Sequence, residues 1–252
     1  MKKFELTTET ITNAVGKKLF RIKALVEFGD VKAGEIGGYV EKEENVSQDG
    51  NAWVYGDTCV YGNAKVSGNA RVYGDAWVYG NARVYGNAKV YGNARVCGNA
   101  WVYGDTCVYG NAKVSGNAWV CGNARVYDDA RVYDDACVSG DARVSGNAWV
   151  YGDTCVYGNA KVSGNARVYG DAMVSGNTDY ALVQGFGTEF RCTTFYRDKN
   201  KKIMVNCGCF HGDLEEFRKQ VKETRSGKIA KEYLMIADLM EYHFASEDSG
   251  DE

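Results

Sequence analysis

From Val54 to Val174 a valine occupies every sixth position, twenty-one times, without one insertion or deletion. The full unit reads Gly-Asn/Asp-Ala/Thr-x-Val-Tyr/Ser/Cys, as in Gly80-Asn81-Ala82-Arg83-Val84-Tyr85. A mixed globular core has no use for so strict an order, whereas a fold built by stacking equal units requires it. Within the unit Ala-x-Val-Tyr alternates with period two, so alanine and valine face inward while x and the tyrosine position face out. Glycine and Asn/Asp fall at the corner, where a turn after so short a strand demands positive φ. Asp128 and Asp134 replace the corner glycine twice, and aspartate still tolerates that backbone.

One hexad makes one side of a coil. Three sides enclose a triangle that valine and alanine fill, whereas four would leave a hole. Twenty-one hexads therefore give about seven coils of eighteen residues, a mainly β parallel solenoid roughly 34 Å long at about 4.8 Å per layer. Stacking satisfies every coil except the two at the ends, which need caps.

The unit resembles the hexapeptide repeat of left-handed β-helix proteins, with valine in the aliphatic position and alanine four residues on. The left hand is implied by that resemblance, since the usual crossover rule gives the opposite. The flanks, Gly29-Asp30-Val31-Lys32-Ala33-Gly34-Glu35-Ile36-Gly37-Gly38-Tyr39-Val40-Glu41 and Val205-Asn206-Cys207-Gly208-Cys209-Phe210, look like those of phage and prophage hexapeptide proteins of the polymer-forming type. That resemblance implies context, a bacterial cytoplasm, more than activity.

The remaining segments read as an N-terminal cap over 1–49, the solenoid over 50–178, a C-terminal ββαα domain over 179–245 and a disordered acidic tail over 246–252. In the cap, Leu19 to Phe28 is the strand candidate, and Val40 and Val46 start the solenoid out of strict register. Phe190–Arg197 and Ile203–Phe210 form a hairpin across Asp198 to Lys202. Asp213 and Glu216 make a capping box for a first helix with Leu214, Phe217 and Val221 on one face, and a second helix runs from about Ile229 to Phe244.

Little in the chain points to catalysis. Enzymes on this fold, acyltransferases and a zinc carbonic anhydrase, use histidine, and both histidines here, His211 and His243, lie outside the repeats. No loop is extruded from the coils to wall a substrate site. Cys207, Cys209 and His211, opposite Cys192, have Cys-x-Cys-x-His spacing that alternation along one strand would turn to one side, but the familiar zinc spacing is missing, so a packed hairpin is the preferred reading over a metal site. Corner Asn and Asp are read as turn formers rather than calcium ligands, because calcium β-rolls use a nonapeptide. No cofactor is implied. Eleven basic x residues are offset by ten corner aspartates, and the whole chain carries a net charge of −3, which argues against nucleic acid as a partner. No run approaches the about 20 apolar residues of a membrane span, and no signal peptide is evident. Nine scattered cysteines fit free thiols better than a disulfide framework.

Assigning residues to sides by the eighteen-residue coil gives one distinctive surface. The outward column Lys65, Arg83, Trp101, Trp119, Cys137, Cys155, Met173 ends in five apolar residues, while charges interrupt the other two columns. A second candidate binding surface is the tyrosine column Tyr55, Tyr73, Tyr91, Tyr109 and Tyr127. Self-association, as a homotrimer with parallel axes, is the expected use of the apolar stripe. Asn51 to Ala70 recurs unchanged at Asn99 to Ala118 and Asn147 to Ala166, a shift of eight hexads that turns Trp53, Trp101 and Trp149 to three different sides. The reading is a rigid, non-enzymatic phage-type scaffold that binds and blocks a host protein, such as an antiviral defence component. A sponge for a small anionic nucleotide and a passive structural assembly protein are the alternatives.

Overall fold

The structure is a computed structural model that describes residues 1–187 and 191–245. Three strands open the chain, β1 (Phe4–Thr12), β2 (Lys18–Ala24) and β3 (Ile36–Val40). Twenty-one two-residue strands follow, one every six residues from β4 (Trp53–Val54) to β24 (Met173–Val174). Each is a pair x-Val, and strands three apart are hydrogen-bonded in parallel, so the sides form three long sheets. The amide of Trp101 donates to Ala118 O at 2.9 Å, Tyr103 to Val120 O at 2.9 Å and Asp105 to Gly122 O at 2.8 Å. This constant step of seventeen residues is the mark of a three-sided, eighteen-residue coil.

All twenty-one valines are fully buried, as are the alanines two residues before them. Thr58, Thr106 and Thr154 replace alanine in the three sequence copies and are equally buried. At the corners glycine takes φ near +70° and lies almost against the backbone of the corner below, where a Cβ on Gly98 would stand 2.9 Å from the nitrogen and oxygen of Gly116. Asp128 and Asp134 hold φ of 59° and 58° at the same place.

The corner amides also join layer to layer. Asn63 Nδ2 donates to Asn81 Oδ1 at 3.1 Å, Asn81 to Asn99 at 2.9 Å, Asn99 to Asn117 at 2.9 Å and Asn117 to Asp135 at 2.9 Å. Asparagine both donates and accepts and so extends the ladder, whereas ionised aspartate only accepts and ends it.

The N-terminal segment differs from its sequence reading. The strand expected from Leu19 to Phe28 stops at Ala24, and a Thr-rich strand, β1, pairs with it in antiparallel fashion. β3 is the first solenoid side, pairing Val40 with Val60, and Val46 bridges to Val66. The step there is nineteen residues, as in Ser47 N to Val66 O, and falls to seventeen at Asn51 N to Gly68 O. Two extra residues before Asn51 absorb the change, and the cap contributes most of an eighth coil. It also covers Trp53 and Cys59, two x residues expected to face out. Trp53 is fully buried between the rings of Phe4 and Phe28, at 5.9 and 5.4 Å.

At the other end the expected two-stranded hairpin is a four-stranded antiparallel sheet of β25 (Tyr180–Phe186), β26 (Arg191–Arg197), β27 (Ile203–Cys207) and β28 (Phe210–Asp213). Phe190, expected to begin a strand, and the acidic tail over 246–252 lie outside the described residues. Two helices follow, α1 (Leu214–Thr224) and α2 (Gly227–His243). The capping box is present, with Glu216 N donating to Asp213 Oδ1 at 2.7 Å and Asp213 N to Glu216 Oε2 at 2.8 Å. The sheet closes the last coil by direct bonds, Arg167 N to Thr194 Oγ1 at 3.1 Å and Lys199 N to Asp171 O at 3.1 Å.

Single substitutions test this account by denaturant unfolding. Asp134→Gly relieves a left-handed aspartate and is expected to raise stability by about 1 kcal/mol. Asp128→Gly gains less, because Asp128 Oδ2 accepts a bond from Gly146 N at 3.2 Å. Trp53→Ala should cost about 3 to 5 kcal/mol.

Candidate interaction surfaces

Register places the apolar column where the eighteen-residue coil requires it. Trp101 pairs with Trp119, Trp119 with Cys137, Cys137 with Cys155 and Cys155 with Met173, on adjacent strands of one seven-stranded sheet. The indoles of Trp101 and Trp119 stack at 5.5 Å with planes 10° apart, and the Arg83 guanidinium lies over Trp101 at 4.9 Å. Trp119 is 47% exposed, and Cys137, Cys155 and Met173 are half-buried. Trp77 and Trp149, on another side, sit among charge. Trp149 lies between Arg131 and Arg167 at 4.9 and 5.0 Å, and Arg95 covers Trp77 at 5.2 Å.

The tyrosine column is a regular ladder from its second member. Tyr73, Tyr91, Tyr109 and Tyr127 stack at 4.9, 4.8 and 5.0 Å with planes within 4° of parallel. Tyr55 breaks the pattern, meeting Tyr73 edge-on at 6.4 Å. A further ladder, Tyr133, Tyr151 and Tyr169, was not singled out from sequence, and the C-terminal sheet terminates it. The His211 ring lies 4.2 Å from that of Tyr169, and His211 Nε2 is 3.0 Å from the hydroxyl of the fully buried Tyr196. Partial burial lowers the pKa of His211.

The Cys-x-Cys-x-His segment does not lie on one strand. Gly208, at φ +63°, turns the chain, so Cys207 pairs with Phe210 and His211 with Asn206 across a tight hairpin. Strand alternation therefore does not gather the two cysteines and the histidine, and among the described residues no three His, Cys, Asp or Glu side chains could hold a metal ion. Cys192 donates to Asn165 O at 3.3 Å, against the last coil. Cys207, Cys209 and His211 instead line a cleft of about 390 Å³ with Phe210, Phe217 and Tyr233. All nine cysteines are free thiols, and burial pushes Cys59 up to about 11.

A family model described as the YdcK β-solenoid repeat matches residues 64–80, 88–104, 124–140, 136–152 and 166–178, all within or at the edge of the coils. The chain is thus similar to that repeat family, and its β-solenoid architecture is plain from both sequence and fold. No curated protein matches it. A solved structure of a provisionally assigned acetyltransferase from Bacillus cereus aligns over 74% of this chain and 84% of that one, at 9% identity and a TM-score of 0.22. A likeness that slight carries no functional argument. No helix among the described residues is long and apolar enough to cross a membrane.

Stacking has a measurable consequence for ionisation. Burial, more than the neighbouring thiols and tyrosines, pushes Tyr91 up to about 12, and Tyr133 and Tyr169 go to about 12 in the same way. The folded chain then keeps protons that the unfolded chain loses above pH of about 10. Their contribution to stability is complete below about pH 10 and is lost as pH rises through about 12. Ultraviolet titration should show these phenols ionising well after free tyrosine, with the melting temperature falling across the same window. A single ionisation wave near pH 10 in the folded protein would contradict the ladder.

Proposed function

We propose that this chain is a non-catalytic binding scaffold. In this reading the rod self-associates through the column from Trp101 to Met173 and offers the tyrosine ladder and the C-terminal domain to a protein partner. The observation that carries it is the unbroken apolar column on a sheet whose neighbours are charged, since a contiguous apolar patch of this kind marks an interface. A backbone locked layer by layer holds its side chains at fixed spacing, which lowers the entropy cost of engaging a large surface. The phage-type resemblance makes a host protein, such as a defence component, the partner to look for.

Catalysis finds no support in the arrangement. Among the described residues His211 is taken up by Tyr196 and Tyr169, His243 sits at the end of α2, and the strands run at equal spacing with no inserted loop. In a nucleotide sponge, aromatic rings would stack bases and guanidinium groups would hold phosphate. Here rings and guanidinium groups largely stack on one another, as around Trp149.

Affinity capture from host lysate, with wild type beside the double variant Tyr91→Ala, Tyr109→Ala, tests the partner. A discrete host protein should be retained at micromolar bait and lost with the variant, while the circular dichroism of the two proteins agrees. Equal retention by both, or none by wild type, would count against it. A melting temperature raised by one member of a nucleotide panel would favour the sponge instead.

A further inference from the structure

The apolar column is not uniform along its length. Its upper part is a knob, the stacked indoles of Trp101 and Trp119, and among the described residues of the coils Trp119 is the exposed large apolar side chain. In the next two layers the column shrinks to Cys137 and Cys155, and the adjoining corner carries Cys121 in the layer of Trp119 and Ser139 in that of Cys137, before Tyr157, in the layer of Cys155, and Met173 restore bulk. A protruding aromatic pair therefore stands directly above a notch floored by small residues.

Charge on the same face is just as lopsided. The column begins with Lys65 and Arg83, and Lys42 reaches the first corner at Asn63, 3.3 Å away. Glu43 there is held by Lys2 at 2.8 Å, and Glu44 offsets part of the positive charge. The corner preceding this face reads Asn63, Asn81, Asn99 and Asn117 in its upper layers, then Asp135, Asp153 and Asp171 below, with Asp134 beside Asp135. Lys199 pairs with Asp171 at 2.6 Å, and no ion pair is formed by Asp134, Asp135 or Asp153 among the described residues.

We propose that two copies of this chain pair through this face with their rods antiparallel, about a two-fold axis lying between the layers of Trp119 and Cys137. The proposal rests on the self-association put forward above and fixes its geometry. Such an axis sets Trp119 of one copy against Cys137 of the other and Trp101 against Cys155, so each knob fills the opposite notch. Arg83 then faces the layer of Asp171, with Asp153 one layer away, and the asparagines of one corner lie opposite the aspartates of the other. An isologous contact needs a self-complementary patch, and this one is complementary in both shape and sign. The parallel trimer expected from the hexapeptide resemblance sets every layer against itself. Tryptophan would then lie level with tryptophan above an unfilled cysteine layer, and the Arg83 side chains of the three chains would gather at one height.

Three measurements on the full chain separate these arrangements. Sedimentation of the wild type should show a dimer at micromolar concentration. Arg83→Glu should weaken it about tenfold, and adding Asp153→Arg should restore most of the loss. In a parallel assembly Arg83→Glu removes a repulsion and tightens association instead. Finally, Trp101→Cys in a background with Cys121→Ser and Cys137→Ser should, on mild oxidation, give a disulfide between position 101 of one chain and Cys155 of the other. These two positions lie three layers apart within one chain, so the link cannot form internally. Links of 101 to 101 and 155 to 155, or tightening by Arg83→Glu, would overturn the antiparallel pairing while leaving self-association standing. A monomeric wild type would overturn both. Unchanged circular dichroism in each variant keeps folding out of the comparison.

Discussion

From Asn51 onward the strands of the coils hand their amide protons to carbonyl oxygens seventeen residues further along. Because that step is constant through the repeats, every side there contains six residues and every third side lies above the last. Valine and alanine suit that constraint, since small side chains fill the triangle, and threonine takes the alanine place at Thr58, Thr106 and Thr154. Glycine follows at the corners, where the backbones of successive layers nearly touch. Even the surface is determined, because an outward residue always meets the one eighteen positions away. A solenoid of this kind converts a linear interval in the sequence into a vertical neighbour in space.

The ends show what such a rod needs in order to stop. At the N-terminus β1, β2 and the loop carrying Phe28 bury Trp53, which its repeat position alone would leave outside. At the C-terminus Tyr196 and His211 close the tyrosine ladder and β26 takes up the last backbone groups. Both caps replace a missing coil with strands of different length, and so cover the open ends of the coils.

The solenoid and its three sides were legible because the valine period is both strict and long. The column Trp101 to Met173 was legible for the same reason, needing only arithmetic. The helix start was legible as well, because Asp213 and Glu216 bond within one turn. Contacts between distant segments were not. Nothing local to Trp53 announces that Phe4 covers it, and Gly208 divides what reads as one continuous strand into two. The asparagine ladders were not legible either, since turn chemistry accounts for each corner residue on its own. Whether a corner carries Asn or Asp matters one layer further on, where the next amide looks for an acceptor.

The three identical segments beginning at Asn51, Asn99 and Asn147 are offset by eight sides, which is two full revolutions and two thirds of another. Gain or loss of one interval from the start of one copy to the start of the next would therefore lengthen or shorten the rod and also swing the C-terminal sheet to a new azimuth relative to the N-terminal hairpin. A gain of nine sides would have lengthened it while preserving that bearing. The duplication history of this chain thus sets the angular phase between its two ends, and variants differing by one copy would present the same pair of ends at the same tilt but around a different quarter of the compass.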